Sequence, residues 1–210
     1  MGAKAFIWDL DGTLLDSYGT IVDGLFDTCR EFGIEADKSA IHRYVIASSV
    51  SSFIQVIAEK TGAACGEIKA RYSAVCDKDG EITAITHARE ALSALAGNGS
   101  RNYVFTHRGS STEAVLRRLG LYGFFDEIIT GQSGFPRKPA PDALLYLIKK
   151  YDLSPSDTYY VGDRTIDMDC AKNAGISGIL YKPENSLCEP NGSEKYIVSD
   201  LIQIERIQLR

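Results

Sequence analysis

The chain has 210 residues, 44% of them hydrophobic and 24% charged, with a net charge of −5. That is enough apolar material for one large domain, or for a core with a smaller insert, and it excludes a disordered polyelectrolyte. The acidic balance argues against a nucleic-acid partner, whose phosphate backbone is met by basic surfaces, and no stretch approaches the roughly 20 apolar residues of a membrane helix.

At the N-terminus the run Ala5–Trp8 reads as a buried strand ending at Asp9. Asp9 and Asp11 break this apolar run well short of a signal-peptide core, and Phe6 stands where a myristoylation signal needs Ser or Thr. From Asp16 to about Gly80 the pattern turns helical. Val22, Leu25, Phe26 and Cys29 share one helix face, Ile54, Ile57 and Ala58 a second, and Ile68, Tyr72 and Val75 a third. About 65 residues of helix do not fit an ordinary strand-to-strand crossover. They read as a helical insert placed just after the first strand, where it would sit over a site at the strand ends as a lid. Beyond it, short β-rich runs follow at Asn102–Phe105, Glu127–Ile129, Tyr159–Val161, Gly178–Tyr181 and Tyr196–Val198. Helical patterns near 86–97, 111–119, 142–151, 166–174 and 199–207 alternate with them. The expected fold is α/β: a doubly wound parallel sheet of residues 1–15 and 81–210, with a small helical domain at 16–80.

The five cysteines, Cys29, Cys65, Cys76, Cys170 and Cys188, are odd in number and form no Cys-x-x-Cys pair. Free thiols fit a reducing, cytoplasmic setting. With His42, His87 and His107 scattered as well, a zinc cluster is not expected.

The residues that point to chemistry fall at or beyond the predicted strand ends. Asp9-Leu10-Asp11-Gly12-Thr13 follows the first strand directly, and a turn at Gly12 lets both carboxylates face one pocket. A calcium loop is excluded, because Leu14 and Thr20 occupy the positions where an EF-hand needs Gly and Glu. Thr106 ends the second strand, Gly162-Asp163 ends the fourth with Asp167 four residues on, and Lys138 lies in a Pro-rich loop. Each has an ordinary reading alone, as a helix cap, a turn residue or a solvated charge. One pocket at the carboxyl ends of the strands accounts for all of them together. Clustered carboxylates call for a cation, and an all-oxygen donor set favours Mg2+ over softer metals.

These four motifs, Asp9-Leu10-Asp11-Gly12-Thr13, Val104-Phe105-Thr106, Lys138-Pro139 and Gly162-Asp163 with Asp167, stand in the order seen in the haloacid dehalogenase-like (HAD) hydrolases, which the chain resembles over nearly its whole length. Lys172-Asn173-Ala174-Gly175-Ile176 is similar to the phosphoglycolate phosphatase and β-phosphoglucomutase branch, which carries a helical cap between its first two motifs. The resemblance implies a Rossmann-like core and a magnesium-dependent phosphatase acting on a small phosphorylated metabolite. In that reading Asp9 is the nucleophile, Asp11 the general acid and base, Thr106 donates a hydrogen bond to a phosphoryl oxygen, and Lys138 balances charge on the nucleophile and the phosphoryl group. Asp9, Asp163 and the main-chain carbonyl of Asp11 would hold Mg2+, with Asp167 as a further ligand or as support for Lys138. The chain would act as a monomer or homodimer, with no nucleic-acid or membrane partner.

Alternatives remain at this level. A phosphosugar mutase uses the same core, and a non-catalytic binding or regulatory protein could keep the fold, although intact motifs weigh against it. A dehalogenase or phosphonate-cleaving enzyme is disfavoured, since those branches lack a carboxylate at the place of Asp11. His107 could contact the substrate, or only its backbone N–H could matter. Arg108 and Arg164 can each be a solvated surface charge, the reading favoured for Arg164. Arg43 and the stretch Ala47-Ser48-Ser49-Val50, with Ser48 the candidate, fall where this branch often places specificity residues.

Overall fold

The structure, a computed structural model, describes residues 4–75 and 79–207, with the side chains of Val75 and Asp79 outside the description. Cys76 and the Val75 side chain named above therefore lie outside the described residues. The chain divides into two compact units, one running up to Asp16 and resuming at Thr83, the other Ser17–Ile82.

In the first unit, β1 (Ala5–Trp8), β4 (Arg101–Phe105), β5 (Glu127–Ile129), β6 (Thr158–Gly162), β7 (Ser177–Tyr181) and β8 (Tyr196–Val198) form one sheet in the order β5-β4-β1-β6-β7-β8. Every pairing is parallel, and Trp8 of β1 lies level with Val104 of β4 and Val161 of β6. A central parallel strand is covered on both faces, which is why β1 is an unbroken apolar run, buried throughout. The pleat sends alternate side chains to opposite faces. Ile7, Tyr103, Phe105 and Tyr160 pack on one face with Ala143, Leu144 and Leu147 of α7 (Asp142–Lys150) and Cys170 and Ala171 of α8 (Thr165–Asn173). Phe6 and Trp8 point the other way, where Phe6 stacks on Tyr159 and the Trp8 indole N–H donates to Asn102. Helix α5 (Ala88–Gly97) buries Ala88, Ala91, Leu92 and Leu95, the spacing of one helix face, and packs against β4. The short helix α6 (Thr112–Arg118) follows β4.

Two features depart from the sequence expectation. The last helical pattern, near 199–207, shrinks to a single turn, α9 (Gln203–Arg206). Asp200 is occupied instead with the His87 ring at the start of α5, 2.8 Å away, and Gln203 turns its side-chain carbonyl back to the Ser199 and Asp200 N–H groups. A two-residue antiparallel pair, β2 (Leu15–Asp16) with β3 (Thr83–Ala84), joins the chain where it leaves and re-enters this unit. Strands that short leave no periodicity to read.

The second unit is helical: α1 (Tyr18–Glu31), α2 (Lys38–Ala47), α3 (Val50–Thr61) and α4 (Cys65–Val75). It has its own core of Leu25, Cys29, Ile41, Val45, Ile54, Ile57 and Ile68, with Phe26, Ala58 and Tyr72 packed at its margin. Asp37 caps α2 and Ser49 caps α3, each accepting a backbone N–H of the first turn, and Gly62 closes α3 in the left-handed region. Among the described residues no helix is long and apolar enough to cross a membrane.

Candidate active site at the carboxyl ends of the parallel strands

The strand order reverses direction at β1: the chain adds β4 and β5 on one side, then β6, β7 and β8 on the other. Such a switch point opens a crevice beyond the carboxyl ends of the strands. Asp9 leaves β1 there, flanked by Thr106 after β4 and Asp163 after β6. The Asp9 N–H is held by Val161 O at 2.8 Å, so the residue keeps the line of the sheet. The chain then turns sharply. Gly12 has φ 83, and the N–H groups of Thr13, Leu14 and Leu15 all converge on Leu10 O. A left-handed φ at this point is readily accessible to Gly and costly for most other residues.

Lys138 is the centre of the constellation. Its side chain is fully buried, with Nζ 2.6 Å from Asp9 Oδ1 and 2.8 Å from Asp167 Oδ1. The rings of Phe105 and Tyr160 wall the ammonium at about 5 Å. Burial alone would lower the Lys138 ammonium, but Asp167 and Asp9 outweigh it and hold it above its ordinary value. The two carboxylates fare differently although they share this cation. Burial also opposes the charge on Asp167, yet Lys138, Arg164 and the Arg164 N–H that bonds its Oδ2 at 3.2 Å together keep it below the ordinary value. Asp9 lacks that backbone donor. Its burial, with the Asp167 charge beside it, pushes its carboxyl from 3.8 to about 6 against the pull of Lys138.

Asp163 completes the set, accepting a hydrogen bond from the Thr13 hydroxyl at 3.1 Å. Carboxylate oxygens of Asp9, Asp163 and Asp167 lie within 4.8 Å of one another, all three residues buried. Three buried carboxylates gather beside the Lys138 ammonium, and the donors are all hard oxygens. This set fits a hard divalent cation such as Mg2+. Asp167 is the least suited to ligation, because Lys138, Tyr160 and the Arg164 N–H already face its oxygens. The Asp11 carboxylate stands apart from the three, paired with Arg108 Nη1 at 2.8 Å.

Motif two is organised around its backbone. Thr106 Oγ1 accepts the Arg108 N–H at 3.1 Å, which leaves the hydroxyl proton directed elsewhere. The His107 ring turns to the Lys138 loop. Its Nε2 accepts the Lys138 N–H at 2.9 Å. Burial, followed by the charges of Lys138 and Arg137, holds the imidazole down to about 3, so the ring is neutral. With Nε2 accepting, the ring proton sits on Nδ1, 3.1 Å from Arg137 Nη2. Two donors meet there, so that contact is not a hydrogen bond. His107 thus holds Lys138 in place, a role outside both readings of the sequence.

Arg108 and Arg164 correct the solvated reading. The Arg108 side chain is 10% exposed and bonded to Asp11, and Arg164 is half-buried, its charge felt at Asp9, Lys138 and Asp167. Nothing in the local sequence marks Arg108, whose partner Asp11 lies 97 residues away. Thr13 and Tyr160 also carried no expectation. The Tyr160 hydroxyl donates to Phe105 O at 3.0 Å and lies 3.3 Å from Asp167 Oδ1. A tyrosine two residues before the strand-ending Gly162 was the available signal. Arg43, on an exposed face of α2, and Ser48, half-buried at its C-terminal end, belong to the helical unit and are not among the groups the core assembles.

A phosphoglycolate phosphatase of Vibrio cholerae is 30% identical to this chain over 215 residues, covering 94% of it and 93% of the relative. One of Nitrosospira multiformis is 29% identical over 185 residues, covering 82% and 80%. The structure of CbbY from Rhodobacter sphaeroides, solved in complex with phosphate, superposes with a TM-score of 0.81 at 17% identity, covering 97% and 96% of the two chains, a likeness of fold. A family model described as haloacid dehalogenase-like hydrolase matches residues 6–181, from within β1 to the end of β7 and so across every strand end that contributes to the site. With its motifs assembled by the sheet that this match spans, the chain belongs to the haloacid dehalogenase-like hydrolases.

Proposed function

We propose that this chain is a magnesium-dependent phosphatase that hydrolyses a small phosphate monoester through an aspartyl-phosphate on Asp9, in the manner of its phosphoglycolate phosphatase relatives. The observation that carries the reading is the setting of Asp9. It is a buried carboxylate at the end of the central strand, 2.6 Å from the Lys138 ammonium and within 4.8 Å of Asp163 and Asp167. Asp9, Asp163 and the main chain at Asp11 would hold Mg2+, with Asp167 behind Lys138. Bound magnesium would offset the repulsion between the Asp9 carboxylate and the phosphate dianion.

In the first step an Asp9 oxygen forms a bond to phosphorus as the bond to the leaving oxygen breaks. Asp11 gives that oxygen its proton and an alcohol departs. In the second, Asp11 takes a proton from water, whose oxygen displaces Asp9 and releases phosphate. Lys138 and the Thr106 hydroxyl stabilise the charge on the phosphoryl oxygens throughout. The helical segment 16–80, with Arg43 and Ser48, is assigned the choice among substrates.

The test measures free phosphate and isomerised products together, on a panel of phosphate esters with and without magnesium. Net phosphate release that is lost in chelator, restored by magnesium and abolished in Asp9→Asn is the expected result. Isomerisation of a hexose phosphate faster than phosphate release would make the chain a mutase. Full turnover by deamidation-free Asp9→Asn would remove Asp9 from its role.

A further inference from the structure

Lys138 stands in a loop, and a lysine stem is flexible, so its charge is delivered accurately only where the backbone beneath it is fixed. Beyond Lys138, α8 supplies the anchors. Asn173 Nδ2 donates to Pro139 O at 2.9 Å and the Cys170 thiol to Ala140 O at 3.3 Å. The Ala140 N–H closes a turn on Arg137 O across the lysine. At Lys138 itself the backbone N–H is tied to His107 Nε2 at 2.9 Å, which joins the loop to the end of β4. His107 can serve as an anchor because it is packed in turn. Its ring stands edge-on to Phe105 with centroids 5.8 Å apart, and Gly131 leaves its carbonyl no slack, since a Cβ there would lie 2.6 Å from His107 O.

The tie needs a lone pair on Nε2, and a neutral imidazole has one such nitrogen. Two N–H donors compete for it: the Lys138 N–H at Nε2, and Arg137 Nη2, 3.1 Å from Nδ1. Arg137 is exposed and can turn its donors to water, whereas Lys138 is buried and its N–H would be left unsatisfied. The lone pair therefore goes to Lys138 and the proton to Nδ1. Neither ring nitrogen is then left to accept from a substrate or to take a proton from one.

We propose that His107 is a positioning residue for phosphoryl transfer: through the Nε2 lone pair it fixes the Lys138 backbone, so that Thr106 and Lys138 meet the phosphoryl oxygens as one preset unit, and its ring neither binds the alcohol nor moves a proton. This rests on the phosphatase reading above for what Lys138 does.

The test measures turnover of p-nitrophenyl phosphate and ethyl phosphate with magnesium by three variants. His107→Leu removes the acceptor, His107→Asn places one too near the backbone, and His107→Gln can set its Oε1 where Nε2 stands. Leu and Asn should lower kcat about 10- to 100-fold, the scale of a small misplacement of a charged group, and Gln should recover most of that loss. KM and the ratio of the two esters should stay within about threefold, because the ring does not touch the alcohol. In a Lys138→Met background, His107→Leu should lower turnover no further. A kcat that survives in Leu overturns the proposal, as does Gln no better than Leu, a change in the ester ratio, or a full further loss in the Lys138→Met background. Should the Leu variant fail to fold, Gln against Asn decides. Ring ¹⁵N spectra of the histidine-labelled protein, with the His107 signals identified by their loss in His107→Gln, are read separately. They should show a neutral ring at pH 7.5 with its proton on Nδ1, and a proton on Nε2 overturns the proposal. If the unsubstituted enzyme releases phosphate from neither ester, the phosphatase reading fails, while the spectra still judge the tie between His107 and Lys138.

Discussion

Replacing Asp9 by Asn separates what this carboxylate does for chemistry from what it costs the fold. In metal-free protein the Asp9 carboxyl is pushed from 3.8 to about 6 by burial and by Asp167. A folded-state value above the unfolded one means that ionising Asp9 opposes folding. Its contribution is most favourable below the unfolded value of 3.8, and that stability is lost as the pH rises through about 6. At about 1.4 kcal/mol per tenfold, the penalty at neutral pH is about 3 kcal/mol. Asn has the same shape, carries no charge and still offers an oxygen to Lys138. Asp9→Asn should therefore be more stable than the parent by about 2–3 kcal/mol at pH 7.5 in chelator, and nearly equal to it at about pH 4. The only tryptophan, Trp8, is fully buried in β1 directly before Asp9, so its fluorescence in a urea titration reports unfolding of this unit. The depressed His107 imidazole gives the opposite pH trend, but it is present in both proteins and cancels in their difference. A less stable Asn variant at pH 7.5, or a difference that does not shrink towards pH 4, would refute the reasoning, because the Lys138 pair would then outweigh the cost of burial.

Lys138→Met leaves Asp9 and Asp167 facing each other without their cation. It should cost about 3–5 kcal/mol at pH 8, less at pH 5 where Asp9 takes up a proton, and lower turnover about 10²–10³-fold; urea titrations at the two pH values and phosphate release check both. Tyr160→Phe keeps the ring beside Lys138 but removes the hydroxyl bonded to Phe105 O, so a loss of about 1 kcal/mol and a fall in kcat with KM unchanged are expected; unchanged stability would show that the hydroxyl carries no net bond. Gly131→Ala forces a Cβ against His107 O and should cost about 1–3 kcal/mol while disturbing the loop that carries Arg108, which fluorescence-monitored unfolding and the rate of phosphate release would detect.

Much of this architecture was legible along the chain because it depends on short-range pattern. A parallel strand buried on both faces must be an apolar run, so β1, β4, β6 and β7 announce themselves, and the polar residue that ends each one marks the rim of the sheet. Asp9, Thr106 and Asp163 were placed by that rule alone. The helical unit was readable for a similar reason, since Leu25, Ile54, Ile57 and Ile68 recur at the helical period and need a common core. Features with no period escaped: two-residue strands at 15–16 and 83–84, and a final helix whose side chains cap a turn instead.

What only the tertiary structure decided is which charges share a partner. Asp163 meets Thr13 across 150 residues, and Arg108 meets Asp11 across 97. A charged residue in a loop has the same sequence signature whether it is solvated or buried against an opposite charge, because burial is a property of the neighbours the fold brings and not of the residue. That is why a solvated surface charge was an open reading for Arg108 and the favoured one for Arg164, whereas the fold half-buries both among opposite charges. The same reason explains how two carboxylates on one lysine differ: Asp167 begins a helix where the Arg164 N–H supports its charge, and Asp9, ending a strand, has no such donor and is held in a state that favours a cation beside it.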